Sequence, residues 1–176
     1  MTYPPIFEDR SKTCCFTGHR DLTLEEKYSC AEKLTRAADA FAKMGVTNFI
    51  TGGALGFDTV AAVTLINLKR QKYPQFSIGV AVPFRDQSSR WSLQDRALYN
   101  SVLKNADRVI ILSEGYYRAC MSVRNRYMVD NSKYCMAYLT KQSGGTYSTY
   151  RYASDKGLVL YNLASPVWDL KKEDKG

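Results

Sequence analysis

The run Phe49-Ile50-Thr51-Gly52-Gly53-Ala54-Leu55-Gly56-Phe57-Asp58 constrains this chain more than any other stretch. β-Branched and aromatic residues, which favour a strand, run into a glycine cluster, and a long helical pattern follows from Thr59. A strand that turns on glycines directly into a helix is the first half of a βαβ unit. Glycines let the backbone approach a ligand closely, and the free N–H groups of a helix start favour an anion. The turn is therefore either a phosphate cradle or a packing device that seats a helix on its strand.

The same alternation runs through the chain. Strand patterns fall at 13–17, 46–51, 76–82, 108–112, 134–139 and 158–163, and helical patterns at 24–44, 59–72, 91–105, 120–131 and 146–156. Thr23 with Glu26 three residues on has the spacing of a capping box for the first helix. Val109-Ile110-Ile111-Leu112 is apolar at every position, as a parallel strand covered on both faces requires. Strands separated by helices predict an α/β fold, a three-layer sandwich around a mainly parallel central sheet. The domain is expected at 13–163, with an N-terminal extension at 1–12 and a C-terminal tail at 164–176.

Composition narrows the function classes. A chain of 176 residues with 45% hydrophobic and 24% charged residues can bury a core without staples. No run is apolar enough to span a membrane, and the first twelve residues lack the apolar stretch of a signal peptide, so the expected location is the cytoplasm. The five cysteines have no CxxC spacing and His19 is the only histidine, so neither a metal site nor a disulfide framework is expected. The net charge of +8, from 25 basic and 17 acidic residues, suits a phosphate-bearing or polyanionic partner.

In an open parallel sheet, ligands bind beyond the carboxyl ends of the strands. The informative motifs all fall there. Thr17-Gly18-His19-Arg20 follows the first strand; Arg20 offers a charged fork suited to phosphate, while His19 serves either chemistry or a structural bond to a neighbouring loop. In the second turn, Asp58 either caps its helix or accepts a ribose hydroxyl. Trp91, after the third strand, stacks on a base or simply packs. Met121, Arg124, Asn125 and Met128 share one helical face, where an arginine is costly unless it meets an anion or an ion-pair partner such as Asp130 or Asp58. Ser143-Gly144-Gly145-Thr146 is a second glycine-rich helix start, and the two together can cradle one phosphorylated ligand.

These motifs in combination resemble the YpsA-like family of the SLOG superfamily, which takes its name from the SMF/DprA and LOG proteins. The resemblance spans about 13–163 and rests on Thr17 to Arg20, Gly52 to Asp58, Trp91, the run Arg124-Asn125-Arg126-Tyr127-Met128-Val129-Asp130, and Ser143 to Thr146. It implies a Rossmann-like fold, a nucleotide-related ligand and a homo-oligomer. The LOG branch consists of phosphoribohydrolases, and Met121, Arg124 and Met128 reproduce its Met–Arg–Met spacing. Its catalytic glutamate, however, falls here on Tyr150 or Arg151, neither of which supplies the carboxylate that an oxocarbenium-like state requires. The DprA branch binds single-stranded DNA, which the net charge and the loop aromatics Trp91, Tyr116 and Tyr117 would also fit.

The expectation is a binding protein for a nucleotide or a derivative such as ADP-ribose or NAD, acting as a sensor or regulator, with no catalytic residue and no firm cofactor beyond that ligand. Gly52, Gly53, Gly56, Gly144, Gly145 and Thr146 are expected to offer amides to phosphate, with Gly18 and His19 beside them. Arg20 and Arg124 are expected to pair with its charge, Asp58 and Asn125 to hold ribose or base, and Trp91 to stack. An N-glycosidic hydrolase and a single-strand binder are the alternatives.

Overall fold

The computed structural model describes residues 2–164. Six strands and five helices alternate: β1 (Thr13–Gly18), α1 (Leu24–Met44), β2 (Asn48–Thr51), α2 (Phe57–Gln71), β3 (Ser77–Val82), α3 (Leu93–Asn105), β4 (Arg108–Ile111), α4 (Cys120–Asp130), β5 (Tyr134–Tyr138), α5 (Gly144–Asp155) and β6 (Val159–Asn162). Every strand pair is parallel, in the order β4-β3-β2-β1-β5-β6. The expected tail lies outside the described residues, apart from the buried Ala164.

Alternation along the strands builds the three layers. Cys14 and Phe16 of β1 point into one core with Leu34, Phe41, Phe57 and Leu65 from α1 and α2. Cys15 points the other way, into a second core with Ile50, Ala81, Cys135, Met128 and Ala153. α1 packs on α2 and α2 on α3, while α4 packs on α5. All five cysteines are buried and form no disulfide; burial pushes the thiols of Cys14 and Cys30 up, and a hydrogen bond with Cys15, then burial, does so for Cys135.

The first helix has the expected capping box: Thr23 Oγ1 accepts the Glu26 amide at 3.1 Å and Glu26 Oε1 accepts the Thr23 amide at 3.3 Å. Other boundaries move. α3 starts at Leu93, because Ser92 caps the Asp95 amide, so Trp91 stands in the loop and not in the helix. α2 starts at Phe57, directly after its N-cap Gly56, and α5 at Gly144, each two residues before the expected start; in α5 the two glycines join the first turn. β4 is also corrected. It lies at the sheet edge with β3 as its single strand neighbour, and Val109 is 42% exposed. An unbroken apolar run cannot tell an edge strand from a central one.

The N-terminal segment is part of the core. Ile6 and Phe7 are buried over Gly79 of β3, where an added Cβ would stand 2.7 Å from the Ile6 side chain. Arg108 Nη1 donates to the Ile6 carbonyl at 2.9 Å and its guanidinium lies over the Phe7 ring. Tyr127 donates its hydroxyl proton to the Pro4 carbonyl at 2.8 Å. This strap fills the α4 side of the sheet over β3, packing beside Tyr127 and Met128 of α4. Phe7→Ala is expected to lower stability by about 3 kcal/mol in urea unfolding, the loss typical of a large buried aromatic. A change below about 1 kcal/mol would show that the strap is not part of the packed structure.

Candidate functional site

The chain runs β1 to β4 in one direction across the sheet and then returns to place β5 on the other side of β1. The loops after β1 and β5 therefore part, as at the switch point of other open parallel sheets. A cleft of about 740 Å³ opens there. Gly18, His19, Arg20, Asp58, Trp91, Arg124, Asn125, Gly144, Gly145 and Thr146 all line it. Gly52, Gly53 and Gly56 do not, and the reason lies in the second turn.

That turn folds inward. The Ala54 amide donates to Asp58 Oδ2 at 3.3 Å, and Thr51 donates its hydroxyl to the Asp58 carbonyl at 3.1 Å. The Gly53 amide is directed at Thr51 Oγ1, 3.4 Å away. At the start of α2 the Phe57 amide donates to the His19 carbonyl at 3.1 Å. Gly56, at φ +80°, sits against the backbone of His19 and Arg20, where any side chain would collide with the carbonyls. The glycines thus lock a helix start against the β1 loop, and the Gly52 and Gly53 amides turn to Asp58 and Thr51 of the protein itself.

α5 differs. Ser143 makes no side-chain cap, and Gly144, Gly145 and Thr146 line the cleft, so this helix start faces the open volume. Lys141 stands beside it. The loops are tied by His19, whose Nε2 accepts the Thr140 amide at 2.9 Å. Burial, and then the charge of Lys141, hold the His19 imidazole below its ordinary pKa, which keeps Nε2 an acceptor. Of its two sequence readings, the structural bond is the one made.

Arg124 forms the floor of the cleft and is only 5% exposed. Its Nη1 donates to the Gly52 carbonyl at 2.6 Å, its Nε to Asn125 Oδ1 at 2.8 Å, and Nη2 lies 3.8 Å from Met121 Sδ. Gly52 makes this approach possible: a Cβ there would stand 2.5 Å from Nη1 and 2.8 Å from Asp58 Oδ2. No ion pair involves Arg124 among the described residues, although the nearby Asp58 contributes a favourable field. Asp130, the other sequence candidate, accepts instead from the Tyr152 hydroxyl at 2.8 Å.

Aromatic side chains form the far wall. Trp91 packs edge-on against Tyr99, and Phe84 against the exposed Tyr116. Arg85 and Glu114 tie these two loops together by a two-armed bond, 2.7 and 2.8 Å. Gln87 is buried behind Trp91, with Nε2 3.2 Å from the Tyr99 hydroxyl and Oε1 unpartnered. Phe84, Arg90 and Lys141 were not singled out as ligand residues; the rule that sites follow strand ends is the signal that finds them. Of the loop aromatics named for the single-strand alternative, Trp91 and Tyr116 line the cleft and Tyr117 does not. Tyr150 is buried under β5 with Leu139, and so outside the cleft. Among the described residues no group of three His, Cys, Asp or Glu could hold a metal, and no helix is long and apolar enough to cross a membrane.

A parallel Rossmann-like fold with a basic cleft at its switch point defines the class. Residues 14–159 match the YpsA model, described as the YspA SLOG family, and the chain belongs to that family. The uncharacterized SPbeta prophage-derived protein YoqJ of Bacillus subtilis is 32% identical over 117 residues, covering 60% of this chain and 68% of YoqJ. A UPF0398 protein of Bacillus thuringiensis is 26% identical over 155 residues, covering 83% and 84%. Among solved structures, DNA processing protein A of Streptococcus pneumoniae superposes with a TM-score of 0.65 at 14% identity, over 89% of this chain and 52% of that one. The Helicobacter pylori protein, described for its single-stranded DNA binding mode, superposes with a TM-score of 0.61 at 19% identity, over 88% and 66%. The chain thus spans about half to two thirds of these DprA chains, and at such identities the likeness is one of fold.

Asp58 carries a pH signature. Burial holds its pKa at about 6, against the opposing pull of Arg124 and the Ala54 amide. The unfolded carboxyl ionises near 3.9, so between these values the folded state holds the extra proton. This group therefore costs nothing below about pH 4, and its penalty grows as pH rises through 6, reaching on the order of 2–3 kcal/mol. Asp58→Asn is expected to remove that slope when urea unfolding is compared at pH 4.5 and 7. An unchanged slope would show that Asp58 does not set it.

Proposed function

We propose that the cleft binds a phosphate-bearing nucleotide derivative, of the size class of ADP-ribose or NAD, and that the protein acts as a sensor or regulator. The observation that carries this reading is Arg124: a buried guanidinium with no carboxylate within ion-pair distance among the described residues, on the floor of a 740 Å³ cleft. An incoming anion supplies the missing charge. The uncapped start of α5, with Lys141, Arg20 and Arg90 around the lining, adds attraction of the same sign. Phe84, Trp91 and Tyr116 offer faces for a base.

Membership of the SLOG family agrees with a nucleotide-related ligand. The single-stranded DNA binding of the H. pylori protein makes an oligonucleotide the second reading, favoured by exposed Arg20, Arg90, Lys141 and Tyr116 on the lining. The two differ in salt dependence, since each neutralised phosphate of a strand releases counterions. Hydrolysis has one carboxylate to draw on among the described lining residues, Asp58, and release of free base from AMP or of nicotinamide from NAD would reveal it.

Thermal unfolding against AMP, ADP, NAD, ADP-ribose and a short single-stranded oligonucleotide tests the reading. A small nucleotide at about a hundred times its Kd is expected to raise the midpoint by about 5–10 °C. Arg124→Ala is expected to weaken that ligand at least about tenfold. A folded Arg124→Ala protein with undiminished affinity would remove the residue from the site, and a shift with the oligonucleotide alone would favour the second reading.

A further inference from the structure

Arg124 shares the bottom of the cleft with a second buried charge. Asp58, carried in on the first turn of α2, is 6% exposed and also lines the cleft. The two side chains meet over Gly52, where an added Cβ would stand 2.5 Å from Arg124 Nη1 and 2.8 Å from Asp58 Oδ2. They face each other without closing to ion-pair distance; the carboxylate accepts the Ala54 amide and the guanidinium donates to the Gly52 carbonyl. One buried positive charge thus has one buried negative charge beside it. Arg20, from the loop after β1, also acts on Asp58, while Tyr99 of α3 and Cys120 of α4 face the Arg124 side. The other titratable groups of the described lining are His19, Arg90, Tyr116 and Lys141.

Resting on the reading that Arg124 receives a ligand phosphate, we infer that the anion displaces Asp58 as the counter-charge of Arg124, and that Asp58 takes up a proton from solvent as the ligand binds. An anion on Arg124 comes to lie beside the carboxylate with little water between them, and two like charges so placed do not both persist. A phosphate diester keeps its charge, so the carboxylate is the group that gives way. Burial already holds Asp58 at about 6, which brings the proton within reach of neutral pH. Linkage makes the effect reciprocal. Affinity is greatest below about pH 6, where the acid form is already present. Above it, affinity falls by up to about tenfold per pH unit until Asp58 ionises in the complex as well. A neutral nucleoside brings no charge to Arg124, and its binding takes up no proton. The cleft then reads ligand and acidity together.

ADP-ribose is the probe, because its phosphates are diesters, whereas the terminal phosphate of AMP or ADP itself titrates near 6. Calorimetric titration is expected to show binding at least about fivefold weaker at about pH 7.5 than at about pH 5.5. Buffers of different ionisation enthalpy are expected to reveal proton uptake at the higher pH that nearly vanishes at about pH 5. Asp58→Asn, a neutral stand-in for the acid form, is expected to bind more tightly than wild type at the higher pH and to lose the pH dependence. A slope that remains in this variant belongs to His19, whose imidazole is held below its ordinary value. If circular dichroism shows that Asp58→Asn does not fold, the proton count on the wild-type protein carries the test. Equal affinity at both pH values without proton uptake would overturn the inference and leave the ligand reading standing. So would an Asp58→Asn protein that binds more weakly, as loss of a ribose-holding carboxylate would give. If ADP-ribose does not bind, sulfate, a dianion throughout this range, is compared on wild type and Arg124→Ala by thermal unfolding. Stabilisation that needs Arg124 and weakens toward the higher pH supports the inference without that nucleotide class; stabilisation that needs Arg124 but ignores pH overturns the inference alone; none that needs Arg124 overturns both.

Discussion

The bond from the Phe57 amide to the His19 carbonyl fixes most of what surrounds it. It seats the first turn of α2 against the loop leaving β1, and the fit is so close that Gly18 leaves room for the Phe57 ring and Gly56 for the loop backbone. Asp58 follows directly in α2 and is carried into the protein, where it collects the Ala54 amide. Once that turn is closed on itself, the open volume falls between the β1 and β5 loops. Arg124 reaches into it from α4, on the opposite side of the sheet from α2, and finds a carbonyl where a side chain at position 52 would have stood.

The electrostatics follow from the same closure. A carboxylate and a guanidinium are buried close together without forming a direct pair, and each is shifted against its charged form chiefly by lost solvent. Desolvation on this scale is expensive, and such arrangements persist where function uses them. Arginine, with its rigid fork, can keep bonds to Gly52 and Asn125 and still present an edge to a ligand, which a lysine could not do.

Much of this was legible in the residues. Alternation of strand and helix announced a parallel sheet, because periods of 2 and 3.6 leave distinct patterns. The rule that sites follow strand ends gathered Gly18, Arg20, Arg124, Gly144 and their neighbours around one cleft. Three things were hidden. The direction of the amides in the second turn depends on where Asp58 is buried, which glycine spacing does not encode. The edge position of β4 depends on the order of strands, not on the composition of one. The strap from Tyr3 to Phe7 has no periodicity, and its place was set by the room beside α4 over β3.

That strap also bears on solubility. β4 presents its unpaired backbone to solvent beside the exposed Val109, and an open apolar edge invites a strand from another molecule. Arg108, the first residue of that edge, is occupied by the Ile6 carbonyl and the Phe7 ring, which holds a bulky, charged guard beside it. Clipping a few residues from the N-terminus would therefore both uncover Gly79 and release the guard. The outcome to expect is self-association through β4 while the sheet itself is still largely intact.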